Sequence, residues 1–278
     1  MIGVLREEFA GLSVHRMCYL LGVHRSLAYR ESGKRVSSVP LDVVEQIVTK
    51  YLGYGYRRVH RELANQGVHE TQYSVRAFLR DQGLLARRPH SKGVTRSRVL
   101  DYRACNLLKG FNASRPDEVW VVDTTLIKTS SGPVYMANLL DVFTRRVVAF
   151  SLSRRNDLAL TMECLNKALE ARRPGLGWIH HSDQGSTYTA QAYVKRIRDA
   201  GGRVSYTKPG SPRENAYAES FFRTLKLEEV DRNQYLNLLE AEAAISAYVV
   251  LYNSTRMHSS LGYLSPNEFE DRFVGGAE

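Results

Sequence analysis

Asp123 closes the apolar run Val119-Trp120-Val121-Val122, Asp183 closes Trp178-Ile179-His180-His181-Ser182, and Glu219 stands in a stretch patterned as helix. Between Asp183 and Glu219 lie 35 residues. Carboxylates at the ends of buried strands, with a third on a nearby helix, make a set of hard oxygen ligands suited to Mg²⁺ or Mn²⁺. Such ions activate a water or hydroxyl for attack on a phosphodiester, so the chemistry points to nucleic acid as substrate. Each acid alone has an ordinary explanation, an aspartate at a strand end being a common cap or turn residue and a helical glutamate a common solvated one. The weight lies in their combination and order. Asp141 competes as a ligand, but it precedes Val142-Phe143-Thr144-Arg145-Arg146, a hairpin turn, where a structural role fits better.

The third acid needs a helix that presents it. Ser211 and Glu214 read as a capping box with Pro212 at the first helical position. At about 100° per residue, Asn215 and Lys226 fall within roughly 40° of Glu219 around the axis. Tyr217, Ala218, Phe221, Phe222 and Leu225 lie opposite and are expected to pack the helix on a sheet.

The sheet is expected from Val119–Leu126, Val134–Leu140 and Val147–Ser153, β-branched and aromatic runs separated by turns at Ser131-Gly132 and Thr144-Arg145. A helix over 157–172, a strand over 178–181, a helix over 190–200 and a strand over 203–207 follow. Three hairpin-linked strands followed by alternating helix and strand predict a mixed α/β sheet covered by helices.

Charge separates the two ends of the chain. The net charge is +10, and residues 1–112 hold 19 Lys/Arg against 9 Asp/Glu, whereas 113–278 hold 20 of each. A basic arm beside a neutral core suits a polyanion-binding module attached to an enzyme. Residues 13–31 read as helix, turn at Gly22 and short helix; Tyr56–Asn65, a break at Gly67 and a helix capped by Thr71 that runs toward Gly83 repeat that grammar. These two helix-turn-helix-like units place Arg25, Arg30, Arg76 and Arg80 where recognition helices meet DNA, though small helical pairs also serve simply to fill cores. Residues 87–116 read as a basic linker that tracks phosphates or merely tethers.

Other classes are disfavoured. The chain has no apolar run long enough for a bilayer and no signal-peptide pattern after Met1, so a cytoplasmic location is expected. Cys18, Cys105 and Cys164 form no disulfide framework, and His15, Cys18 and His24 lack the second pair of ligands that zinc needs.

At the acidic residues the chain resembles the OrfB-type transposases of insertion-sequence family three, within the retroviral integrase superfamily with an RNase H-like core. The resemblance rests on Trp120-Val-Val-Asp123-Thr-Thr125, Asp141-Val-Phe-Thr-Arg145, His181-Ser-Asp183-Gln-Gly185-Ser-Thr-Tyr188, Asn215-Ala-Tyr-Ala-Glu219-Ser-Phe-Phe-Arg-Thr-Leu-Lys226 and Tyr252-Asn253-Ser-Thr-Arg256-Met-His258 through Pro266. It extends to Tyr54-Gly55-Tyr56-Arg57-Arg58-Val59-His60, so Arg57 and Arg58 join the DNA-binding candidates. The resemblance implies a triad of Asp123, Asp183 and Glu219 holding two divalent ions, Mg²⁺ or Mn²⁺, and Lys226 near the scissile phosphate. Asn215, with His181 and Tyr188, is assigned to positioning DNA or to packing. The zinc-binding module of the retroviral enzymes is missing, as is an upstream heptad zipper, which the family takes from a preceding reading frame.

The expected protein is therefore a DNA transposase with a helical DNA-binding region at 1–86, a basic linker at 87–116, an RNase H-like five-stranded core at 117–230 and a helical tail at 231–278. Its partners would be terminal inverted repeats, target DNA, further copies of itself in the synapse and an upstream OrfA-type product. In a cell it would be bacterial and nucleoid-associated when bound to DNA. A structure-specific nuclease on the same core and a catalytically silent DNA-end-binding protein are the competing readings.

Overall fold

The computed structural model describes residues 39–86, 106–208 and 211–275, with Ser13, His15, Cys18 and Tyr19. The chain divides into two compact units, Met1–Ser38 and Val39–Glu278. The first expected helical pair, with Arg25 and Arg30, and most of the expected linker lie outside the described residues.

Five strands form one mixed sheet in the order β3-β2-β1-β4-β5: β1 (Val119–Thr129), β2 (Gly132–Asp141), β3 (Val147–Ser153), β4 (Ile179–Ser182) and β5 (Arg203–Tyr206). β1 pairs antiparallel with β2 and parallel with β4. This is the RNase H-like arrangement expected from the sequence. The first hairpin turns at Ser130-Ser131, one residue earlier than expected, because Thr129 pairs with Gly132. Arg145 takes the left-handed conformation in the second turn, with φ of 64°.

β1 is central and buried on both faces, which explains its unbroken apolar run. Val119, Val121 and Ile127 face Phe221, Leu225, Ile245 and Tyr252, whereas Trp120 and Val122 face Leu160, Cys164, Leu165 and Tyr193. The second layer comes from α4 (Leu158–Arg172), which Asp157 caps by accepting from the Leu160 amide, and α6 (Gln191–Asp199). The first comes from α7 (Ala216–Glu228) and α8 (Leu238–Ser254). A one-turn helix, α5 (Ser186–Thr189), follows β4, and α9 (Pro266–Gly275) ends the described chain.

Ahead of the sheet stand α1 (Leu41–Lys50), α2 (Tyr56–Asn65) and α3 (Gln72–Asp81). The latter two are the second expected helical pair, with Thr71 capping α3 through its bond from the Ser74 amide. α1 was not anticipated, although Val44 and Ile47 bury the i, i+3 face that packs against Val59, Leu63, Val75 and Leu79. Met257 of the tail completes this cluster, and its amide donates to the Tyr54 hydroxyl.

Two expectations about α7 need correction. The capping box does not form: Ser211 makes no side-chain cap, Pro212–Asn215 is a 3₁₀ turn, and the Glu214 carboxylate instead accepts from Asn106 Nδ2 at 2.8 Å and the Lys208 amide at 2.7 Å. A tertiary partner thus outcompetes the local reciprocal bond. Tyr217 is exposed rather than packed on the sheet, and the Arg145 guanidinium sits over its ring at 4.1 Å.

Arg256 and Glu228 form a buried bidentate pair at 2.7 and 2.8 Å, with the Tyr248 hydroxyl donating to the same carboxylate. Breaking such a pair strands a charge in low dielectric, so Glu228→Gln should lower the unfolding free energy by about 3–5 kcal/mol. Urea denaturation measures this. A loss under about 1 kcal/mol, the range of an exposed pair, would contradict the burial described.

Candidate active site

Register places the first two acids together. Val121 pairs in parallel with His181, so Asp123 and Asp183, two residues further along each strand, emerge side by side on the face that α7 covers. They stand at the carboxyl ends of the parallel pair, where open α/β sheets form their crevices. Asp123 is half-buried, while Asp183 and Glu219 are exposed. Asp123 Oδ1 accepts from the Thr124 amide at 2.7 Å, and Asp183 Oδ1 from the Gly185 amide at 2.9 Å.

Burial is the main force on the Asp123 carboxyl and, with the charges of Asp183 and Glu219, pushes its pKa up to about 7. The Thr124 bond and Lys226 act the other way. The three acids and Lys226 therefore share one electrostatic neighbourhood. Among the described residues, no three His, Cys, Asp or Glu side chains converge closely enough to hold a metal ion. In type the donors do suit a hard divalent cation, since all are carboxylates and their mutual repulsion favours an added positive charge. Across β2, Asn138 is directly opposite Asp123 and fully buried, with neither amide atom hydrogen-bonded among the described residues.

His181 and Asn215 fasten this arrangement. Neutral His181 bridges Ser205 Oγ at 2.8 Å and the Glu214 carbonyl at 3.2 Å. A carbonyl only accepts, so Nε2 carries the proton and Nδ1 accepts from the serine hydroxyl. Asn215 is buried and donates to the Val122 carbonyl at 3.1 Å, tying the entry of α7 to the residue before Asp123. This inward bond is the packing role expected for it alongside a DNA contact. Tyr188 is likewise buried, its hydroxyl unpartnered among the described residues. Asp141 accepts from the Asp117 amide and from the Thr144 amide and hydroxyl, and so holds the second hairpin turn.

Of the basic candidates, Arg57, Arg76 and Arg80 are exposed, Arg80 pairing with Asp81 at 3.2 Å. Arg58 turns inward and is half-buried. Lys226 is half-buried on the Glu219 face. No role had been assigned to Arg145, Arg256 or His258, although all three stand in motifs that the sequence displays. Their meeting with Arg58 depends on tertiary packing.

This topology, with acids on adjacent strand ends and on the covering helix, defines an integrase-type catalytic core. Two models described as integrase core domain match residues 113–212 and 200–266. The transposase for insertion sequence element IS904 of Lactococcus lactis is 35% identical, covering 78% of this chain and 87% of that protein. An uncharacterized 31 kDa protein of insertion element IS600 from Shigella sonnei is 33% identical over 92% and 98%. Transposase InsF for insertion sequence IS3A of Escherichia coli is 31% identical over 96% and 97%. The chain belongs to the OrfB-type transposases of insertion-sequence family three, a family of Asp-Asp-Glu transposase/integrase-type enzymes. No helix among the described residues is long and apolar enough to cross a membrane.

Burial lowers the His181 pKa to about 4, against 6.5 for the free group. The unfolded chain therefore protonates first, and the stability due to neutral His181 is complete above pH 6.5 and lost as pH falls toward 4. In urea titrations, His181→Gln should be less stable than the parent at neutral pH, with a gap that narrows across this window. A gap independent of pH would remove His181 as the titrating group.

Proposed function

We propose that this chain cleaves DNA at the ends of an insertion sequence and joins them to target DNA, with Asp123, Asp183 and Glu219 as ligands for two Mg²⁺ or Mn²⁺ ions. The reading is carried by the parallel register that sets Asp123 beside Asp183 under the helix bearing Glu219. When bound, such ions supply Lewis acidity for in-line displacement at phosphorus. The chain's own contribution is placement. His181 and Asn215 hold the start of α7 against β4 and β1, which fixes where Glu219 stands relative to the aspartates. Lys226, one face with Glu219, contacts a phosphate beside the scissile one. Arg25, Arg30, Arg57, Arg76 and Arg80 of the 1–86 region contribute phosphate contacts, and the 87–116 linker joins that region to the core. The cytoplasm, with its nucleoid, is the compartment where such a substrate lies.

Asp183→Asn, in a folded full-length chain, should abolish Mg²⁺-dependent cleavage and joining while duplex binding persists. Asp183 is the acid for this test because it is exposed and its replacement leaves the core intact. Cleavage at the parental rate would end the triad assignment. A strand-transfer assay separates this reading from a nuclease on the same core, which cuts without joining.

Two element ends must be held together for transposition, so the active form is an oligomer, and we propose that an upstream OrfA-type product, separate or fused, supplies further DNA recognition and pairing. In a cell-based excision assay the fusion should form circles well above the chain supplied alone. Equal circle yield would make the partner unnecessary.

A further inference from the structure

A cleft of about 380 Å³ lies where the helical module, the second hairpin turn, α7 and the tail meet. It is lined by Arg58 from α2, Arg145 from the turn, and Arg256 and His258 from the tail, with hydroxyls of Ser220 and Thr224 from α7. Among the described residues no carboxylate lines it. Arg256 is neutralised by Glu228. Arg58 and Arg145 have no ion-pair partner among the described residues, and Arg58 Nε is buried without a hydrogen bond among them.

The donors are held in place and point to one kind of ligand. Arg145 is fixed by stacking over Tyr217 and by donating to the Val142 carbonyl, which leaves other guanidinium N–H groups free to donate. Arg256 approaches His258 Nε2 at 3.3 Å. Burial, reinforced by Arg256, Arg58 and Arg145, pushes the His258 pKa down to about 2, so the imidazole is neutral. Its Nε2 then accepts from Arg256 and its Nδ1 carries a proton. Such a lining is rich in donors and poor in acceptors, which suits a tetrahedral oxyanion with several acceptor oxygens.

We propose that this cleft seats a backbone phosphate of bound DNA, at a point away from the scissile bond. The inference rests on the DNA-recombination reading above and adds a site to it. Ser220 and Thr224 lie roughly 100–140° around α7 from Glu219. One helix would thus face the reacting phosphate on one side and a second phosphate on another, the latter shared with the module that carries Arg57 and Arg76. A phosphate held by both parts would couple DNA capture by the module to the position of the catalytic helix.

The test measures binding of the full chain to a short random-sequence duplex, in chelator and over a series of salt concentrations. Arg58→Gln should weaken binding and reduce the slope of log affinity against log salt by about 0.9, the loss of one phosphate contact. Ser260→Glu puts a carboxylate at the exposed rim of the same cleft without touching the core, and should weaken binding in the same direction even where Arg58→Gln folds poorly. Arg198→Gln, an exposed charge outside the cleft, should have a smaller effect. Parental affinity and slope in both cleft variants, or equal losses in Arg198→Gln, would overturn the proposal. So would variant-sensitive binding of inorganic phosphate or of polyglutamate with duplex binding unchanged, which would assign the cleft to a free anion or to an acidic protein. Cleavage by the parent chain is scored separately with Mg²⁺: if cleavage fails while the cleft variants still change the salt slope, the transposase reading falls and the phosphate site stands.

Discussion

The Glu228–Arg256 pair joins the catalytic helix to the tail by a desolvated contact. Glu228 ends the helix that carries Glu219 and Lys226, Arg256 follows α8, and Tyr248 of α8 donates to the same carboxylate. Gly53, with φ of +89°, brings the turn after α1 so close that an added Cβ would lie 2.9 Å from Glu228 Cγ. Removing two charges from water is costly unless every remaining donor and acceptor is satisfied, so the pair tolerates little displacement. Its bidentate geometry fixes direction as well as distance. The catalytic helix and the tail are therefore set together by a desolvated contact, beside which the helical module is held through Met257 and Tyr54.

A second set of polar ties works at the other end of the same helix. Asn215 reaches the Val122 carbonyl, His181 reaches the Glu214 carbonyl, and Glu214 holds Asn106. These bonds use the interior polar groups of the core to hold the 3₁₀ turn against β1 and β4. Asp123, lying deeper than its two partners, bears the burial cost that keeps its carboxyl partly protonated near neutrality. Asp183 and Glu219 are exposed at the crevice. A rigid inner acid and two outer acids suit a site whose affinity for a cation rises as the charges are brought together.

The tail is anchored from a third direction. Arg172 at the end of α4 pairs with Asp117 and with Glu270 of α9, and Glu270 also takes Arg146. The described tail is thus tied to the core by ion pairs on one side and to the helical module by Met257 on the other. Arg58 of the module then meets Arg145 and Arg256 in one cleft, and α7 has Glu219 on one face and guanidinium groups near another.

The sequence by itself determined the sheet and the places of three acids, two at strand ends and one on the covering helix. A strand buried on both faces must be an uninterrupted apolar run, and 119–122 has few other ways to be stable; the period of the helix places Lys226 near Glu219 wherever that helix packs, whereas Asn215 falls in the 3₁₀ turn ahead of it. Strand ends, the cap at Thr71 and the break at Gly67 are local effects and were legible as such. The capping box at Ser211 was also locally sound, and failed because Asn106 and the Lys208 amide, distant or non-helical in sequence, offered Glu214 better bonds. Tyr217 stayed out of the core because Arg145, held in a left-handed turn, supplied a cationic face for its ring. Periodicity says which side of a helix is apolar, but not which charged group waits there. Tertiary structure alone decided that Arg58, Arg145 and Arg256 line one cleft, since their separation in the chain carries no signal of it and only the desolvated Glu228 contact makes their approach tolerable.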